Sequence, residues 1–146
     1  TIPPTSYDLH PTWSSNGQIA FLSKRAGHSD YFELYVMNED GSSQIRLTNH
    51  AANDEAPSWS PVENKIAFYS IRTGRGEIFV MDGDGAGKTN LSNYGDSGQP
   101  AWSPDGEKIV FVAHRDGKSG LSIINSDGTG DTRLIDAFAE APHWSR

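Results

Sequence analysis

Apolar residues in this chain fall in short runs of five or six, and the runs recur in a fixed order. One run reads QIAFLS (18–23), KIAFYS (65–70) and KIVFVA (108–113). A second reads ELYVMN (33–38), EIFVMD (77–82) and LSIIN (121–125). Both are rich in β-branched and aromatic residues, which fit a pleated strand. A strand with one wet face alternates apolar and polar positions; these runs are apolar on nearly every position, which predicts burial on two faces. A third, more polar run, IRLTN (45–49), TNLSN (89–93) and TRLI (132–135), predicts an outer edge strand. No segment carries a helical period, and the best candidate, residues 136–140, is one turn long and stops before Pro142.

Turn formers separate the runs. Ser15-Asn16-Gly17, the Pro61 to Asn64 tetrapeptide and Pro104-Asp105-Gly106 precede the first run of each set. Asp40-Gly41, Asp84-Gly85 and Asp127-Gly128 follow the second. Glycine tolerates positive φ and proline presets φ, so both sets predict tight hairpin turns.

Each set is introduced by Pro-x-Trp-Ser, at Pro11, Pro57, Pro100 and Pro142. The tryptophans Trp13, Trp59, Trp102 and Trp144 are all the tryptophans of the chain and stand 46, 43 and 42 residues apart. Proline suits the first residues of a strand, where a missing donor does least harm. Four strands repeated at a period near forty predict an all-β fold built of β-propeller blades. The expected units are three complete blades, at about 9–50, 55–93 and 98–136, with an extra innermost strand at 141–145, so that 1–146 is a partial or self-assembling propeller. The indoles are expected to plug the spaces between blades.

Three blades cannot close a ring, and unclosed blades leave apolar faces in water. The expectation is a homo-oligomer, such as a six-bladed dimer or a larger assembly, or closure by missing blades of the same parent chain. The surplus strand favours the parent chain, because it would compete with a partner's first strand unless the two were exchanged. The chain starts at Thr1 rather than Met, which also reads as a processed or partial chain.

Composition narrows the partners. The formal net charge is −7 and no basic stripe exists, which argues against nucleic acid and for a protein or peptide ligand. No apolar run reaches the length of a membrane span. Cysteine is absent, so no disulfide or thiolate metal site is expected, and no motif calls for a cofactor.

The stretches QPAWSPDGEKIVFVAHRDG and ELYVMNEDGSSQIRLT carry the unit PxWSPDGxKIxFxSxRxGxxxIxVMNxDGxxxxxLT. This unit resembles the TolB-type β-propeller repeat over essentially the whole chain. The first turn departs from the pattern with Ser15-Asn16-Gly17, and the second with Val62-Glu63-Asn64. The resemblance implies six or seven blades. It implies one of two roles: a non-catalytic scaffold or docking ring for proteins, as in the periplasmic Tol system, or the gating or substrate-binding propeller of a larger hydrolase or polysaccharide lyase. A periplasmic or secreted location follows from the same resemblance.

Candidate site residues lie on the connections into the innermost strands, where propeller ligands meet the channel mouth: Asp8, His10, Asp54, Glu55, Asp96, Ser97, Gln99 and Glu140. This collar is acidic and favours a cationic peptide or a metal-assisted ligand over a polyanion. Asp8 and Asp54 share an Asp-x-x-Pro spacing, for which capping of a turn is the simpler role. An arginine after each second strand, Arg25, Arg72 and Arg115, is expected to bond neighbouring carbonyls, since a charge repeated in every blade is not a unique active site.

Three motifs imitate catalytic or ligand signatures. Gly95-Asp96-Ser97-Gly98-Gln99-Pro100 imitates a serine-protease nucleophile segment but falls on an ordinary connection. Gly85-Ala86-Gly87-Lys88-Thr89 lacks the first glycine and the helix of a phosphate loop. Asp82-Gly83-Asp84-Gly85 lacks the later ligands of a calcium loop. Asn90-Leu91-Ser92 fits the N-glycosylation sequon.

Overall fold

A computed structural model describes residues 7–25, 30–93, 96–136 and 142–144. Twelve strands follow one another: β1 (Tyr7–Trp13), β2 (Gln18–Lys24), β3 (Glu33–Asn38), β4 (Ile45–Arg46), β5 (Asp54–Trp59), β6 (Lys65–Ser70), β7 (Glu77–Asp82), β8 (Thr89–Asn90), β9 (Ser97–Trp102), β10 (Lys108–Arg115), β11 (Lys118–Asn125) and β12 (Thr132–Ile135). They form three four-stranded antiparallel sheets, each a meander in chain order, and among the described residues the sheets do not close into a ring. This is the expected all-β, partial propeller. The expected extra innermost strand is represented by residues 142–144, which are not in a sheet; residues 141 and 145 lie outside the described residues.

The turns form for local reasons. In the second turn of each blade, the aspartate Oδ1 accepts the amide two residues on: Ser42 on Asp40, Ala86 on Asp84 and Thr129 on Asp127, each at 2.9 Å. The following glycines hold φ of 80°, 87° and 85°. At Gly85 a side chain would also meet the Leu47 carbonyl oxygen of the preceding blade at 2.8 Å. The outer strands are shorter than the apolar pattern predicts, two residues each in blades 1 and 2. Leu47 and Leu91 lie just beyond them and turn inward to the core.

Each sheet has a leading face, which carries the tryptophan, and a trailing face. Cross-strand register puts Trp59, Ile66 and Met81 on one face of sheet 2, with Phe68 beside Phe79. That face packs on Ala20, Leu22, Leu34, Val36 and Leu47 of sheet 1. The pattern repeats once. Ala67, Ile78, Val80 and Leu91 of sheet 2 meet Trp102, Ile109, Phe111, Ala113 and Ile124 of sheet 3. The middle sheet is therefore covered on both faces, as its unbroken apolar runs require. Trp59 and Trp102 are 5% and 7% exposed, so the inner indoles are the expected plugs. Trp102 also donates from Nε1 to the Ser58 carbonyl at 3.0 Å.

Candidate functional site

The repeated Asp-x-x-Pro and the repeated arginine meet in blade 2. Asp54 opens β5 directly opposite Ser70. It is fully buried and accepts the Ser70 hydroxyl at 2.5 Å and Arg72 Nη2 at 2.8 Å. Arg72 also donates from Nε to Ser70 at 2.9 Å and lies over the rings of Phe79 and Phe68, 4.9 and 5.3 Å from their centroids. The arginines are expected to bond backbone carbonyls; their observed partners include carboxylates, hydroxyls, an amide and aromatic faces. A planar guanidinium can bond at its edge and stack through its face at once, which a carbonyl-only site would not use. Asp54 therefore stabilises the blade rather than capping a turn.

The other blades vary this set. In blade 1 Arg25 bonds Ser23 at 2.9 Å and Gln44 at 2.8 Å, and stacks 4.4 Å from the Tyr35 centroid, while Asp8 stays exposed. Blade 3 has Ser97 and Ala113 where blade 2 has Asp54 and Ser70. Arg115 there takes both oxygens of Asp131, at 2.8 and 2.7 Å.

Where the first strands of the three blades converge lies an open cavity of about 340 Å³. Its walls are three X-Pro pairs, His10-Pro11, Ala56-Pro57 and Gln99-Pro100, with Thr12, Ser58 and Pro142. At each pair the register with the next strand slips, which marks a β-bulge. Proline has no amide to give the ladder, so the bulge falls where a bond could not form. His10, Ala56 and Gln99 take the left-handed region, with φ of 49°, 49° and 53°. Such φ in a non-glycine residue costs on the order of 1–3 kcal/mol and collects at ligand sites. The threefold repetition shows that the strain belongs to the blade design.

Two carboxylates adjoin the bulges along the chain, Glu55 next to Ala56 and Asp96 three residues before Gln99. Glu55 is paired across the strands with Tyr69. Burial, then the charges of Glu55 and Asp96, push the Tyr69 phenol above its ordinary value. The His114 amide donates to the Asp96 carbonyl at 2.8 Å, which fixes the start of β9. Among the described residues no group of three or more His, Asp or Glu is arranged to hold a metal ion.

The eight candidates thus separate. His10 and Gln99 line the axial cavity. Glu55 and Asp96 are not among its lining residues; both of their charges act on Tyr69. Asp8 lines a different, smaller hollow of about 210 Å³ on the leading face of blade 1. Asp54 and Ser97 are buried inside their blades. Glu140 lies outside the described residues. At 2% exposure Ser97 cannot meet a substrate, although it sits in the protease-like segment. Lys88 of the phosphate-loop mimic donates to the Gly85 carbonyl of its own turn. Asn90 of the sequon donates from Nδ2 to buried Glu77 at 2.8 Å, and Ser92 accepts the Ile78 amide at 3.0 Å. Reasoning from sequence missed Ala56, Ser58 and Tyr69. The first two could have been found by reading X-Pro as a repeated bulge rather than as a strand start.

Comparison with known proteins agrees with this architecture. The TolB beta propeller domain family matches residues 4–146. A TolB homolog of Chlorobium luteolum is 34% identical over 74 residues, 51% of this chain and 16% of its own length. The Tol-Pal system protein TolB of Hahella chejuensis is 36% identical over 78 residues, 53% of this chain and 18% of its own. The chain thus spans less than a fifth of these relatives. The structure of a TolB-type protein from Agrobacterium tumefaciens superposes with a TM-score of 0.79 at 27% identity, over 94% of this chain and 52% of that one. An oligogalacturonate lyase (TM-score 0.65, 15% identity, 89% of this chain and 36% of its own) shares the fold alone. So does an acylaminoacyl peptidase (TM-score 0.67, 16% identity, 88% and 25%).

Proposed function

The chain belongs to the TolB β-propeller family, and we propose that within it this chain is a non-catalytic docking module of the periplasm. Its ligand on this reading is an extended, cationic peptide segment of a protein partner, held at the axial cavity. The observation that carries the reading is that cavity, walled by the same X-Pro bulge from three blades. A bulge takes a residue out of the ladder. An extended peptide can lie along such a repeated wall and needs no unique catalytic constellation. On this reading the charges of Glu55 and Asp96, which adjoin two of the bulges along the chain and act together on Tyr69, select for lysine or arginine.

The test uses fluorescence anisotropy with two labelled peptides of equal length, one alternating lysine with alanine and one alternating glutamate with alanine. The lysine peptide is expected to bind at low salt and to weaken as salt rises. Glu55→Gln with Asp96→Asn is expected to reduce its affinity about tenfold, at roughly 1 kcal/mol or less per charge. Equal binding of the two peptides, or no loss in that double variant, contradicts the reading.

A further inference from the structure

Blade 3 lacks two side chains that blades 1 and 2 share on their leading faces. In those blades the third strand opens with a buried glutamate, Glu33 or Glu77, paired across the ladder with Ser23 or Ser70. Each glutamate accepts a donor from the outer strand: Arg46 Nη2 on Glu33 at 2.6 Å, and Asn90 Nδ2 on Glu77 at 2.8 Å. Two residues on stands an aromatic ring, Tyr35 or Phe79, under the arginine of the blade. In blade 3 register puts Gly120 in the place of the glutamate and Ser122 in the place of the ring. The cations stay. Arg115 corresponds to Arg25 and Arg72, and Arg133, paired with Ser122, corresponds to Arg46.

These groups share one face. Side chains alternate along a strand, so Phe111, Ala113 and Arg115 all lie on the leading face of blade 3. Ser122 is paired with Phe111 and Arg133 with Ser122, so both point the same way. Burial first, and then the like charge of Arg133, pull the Arg115 guanidinium below its ordinary value, against the opposing charge of Asp116.

The acceptors of blade 3 meet only part of this donor set. Arg115 Nη2 bonds both oxygens of Asp131. Arg133 donates from Nε to Asp136 and from Nη2 to the Lys118 carbonyl at 3.1 Å. A Cβ on residue 120 would lie 2.9 Å from that Nη2, so Arg133 reaches into the place of the missing glutamate. Among the described residues, Arg133 Nη1 and the Ser122 hydroxyl are buried and have no hydrogen-bond partner. Ser122 is 0% exposed. Leaving a buried donor unmet is costly, and more so for a charged one.

We propose that blade 3 carries a binding site for a small free carboxylate, held between blades 2 and 3 by Arg133 Nη1 and the Ser122 hydroxyl, with Arg115 beside it. The carboxylate of the ligand stands in for the glutamate that the other two blades build in. The donors choose the class. Nη1 carries two N–H groups and a share of the positive charge, and the hydroxyl adds a third donor, a set that matches the two oxygens of a carboxylate. Burial chooses the size. Ser122 is fully covered, while the Arg115 and Arg133 side chains are 26% and 21% exposed, so the way in is narrow and edged by guanidinium. This inference does not rest on the docking reading above, because the axial cavity is lined by other residues.

The experiment is a titration of the nitrogen-15-labelled whole chain with sodium acetate, at an ionic strength held constant with sodium chloride. The Arg133 Nε–H and Ser122 amide signals are expected to shift saturably, with half-saturation on the order of millimolar. Two variants are expected to weaken acetate about tenfold or more. Ser122→Phe restores the ring that blade 2 has at this place, and Arg133→Gln removes the charge at a partly exposed position. Circular dichroism checks that each keeps its sheets; if Ser122→Phe does not fold, Arg133→Gln alone decides. No saturable shift, the same shift with chloride alone, or an unchanged acetate affinity in Arg133→Gln overturns the proposal.

Discussion

Blades 1 and 2 are nearly the same sentence read in different surroundings. QIAFLS and KIAFYS, ELYVMN and EIFVMD, and two Asp-x-x-Pro-x-Trp-Ser segments align without gaps within each element. In blade 2 the tryptophan is buried, the aspartate is fully buried and the arginine reaches it. In blade 1 the tryptophan and the aspartate are exposed and the arginine turns to Gln44. The difference lies in the neighbour: among the described residues blade 2 has a sheet against its leading face and blade 1 does not. Burial in a repeat array is conferred by the next unit, and identical residues acquire different energies from it.

The sharpest break of this comparison is Trp59→Ala against Trp13→Ala. The first is expected to cost about 3–5 kcal/mol, as for a buried aromatic truncated in a core. The second is expected within about 0.5 kcal/mol, as for a surface change, in urea unfolding at concentrations where the chain is monomeric. Equal losses would mean that the leading faces of the two blades are covered alike.

A smaller gap separates Asp54→Asn from Asp8→Asn. Asp54 holds a buried serine and an arginine, so loss of its charge is expected to cost about 1.5–3 kcal/mol. Asp8 is exposed on its strand and its change is expected to be nearly silent. Unfolding midpoints compared at constant m-value decide it.

The smallest effect is on acid stability. The Ser103 hydroxyl, then the Glu107 amide, hold the Asp105 carboxyl below its ordinary value in the first turn of blade 3. A carboxylate whose folded pKa is depressed stabilises the fold above its unfolded pKa, and that contribution is lost as pH falls through the folded pKa. The window is therefore acid, below the usual aspartate value of about 3.9. Asp105→Asn is expected to flatten the stability profile slightly in that window, by removing a small stabilisation present at neutral pH and leaving the strongly acid limit unchanged. Blade 1 already has Asn16 at this place, bonded to the Ser14 hydroxyl. Asn16→Asp is expected to add a similar small acid dependence.

Much of this fold was legible because each strand carried its own period and each turn its own chemistry. Glu33–Asn38, Lys65–Ser70 and Glu77–Asp82 coincide with the apolar runs that predict them. β11 begins three residues before its apolar run, because Lys118, Ser119 and Gly120 extend the ladder with β10 through backbone bonds that leave no hydrophobic trace. The site was less legible. Asp54 and Asp8 share a motif, yet one is inside and one outside, since a motif does not show which faces are covered. Ser97 was placed at the mouth by its loop, but it occupies the inward position that Asp54 holds in blade 2. The X-Pro bulges were hidden because the residue before proline varies among His10, Ala56 and Gln99, while the backbone shape is common to all three.

Hydrogen exchange of the four indole Nε1–H groups, followed by nitrogen-15 NMR, probes most directly whether successive sheets face one another through their tryptophans. Trp59 and Trp102 are expected to exchange orders of magnitude more slowly than a free indole, with Trp102 slowest because it is both buried and bonded to Ser58. Exchange of both at the rate of a free indole would contradict the stacked-blade architecture.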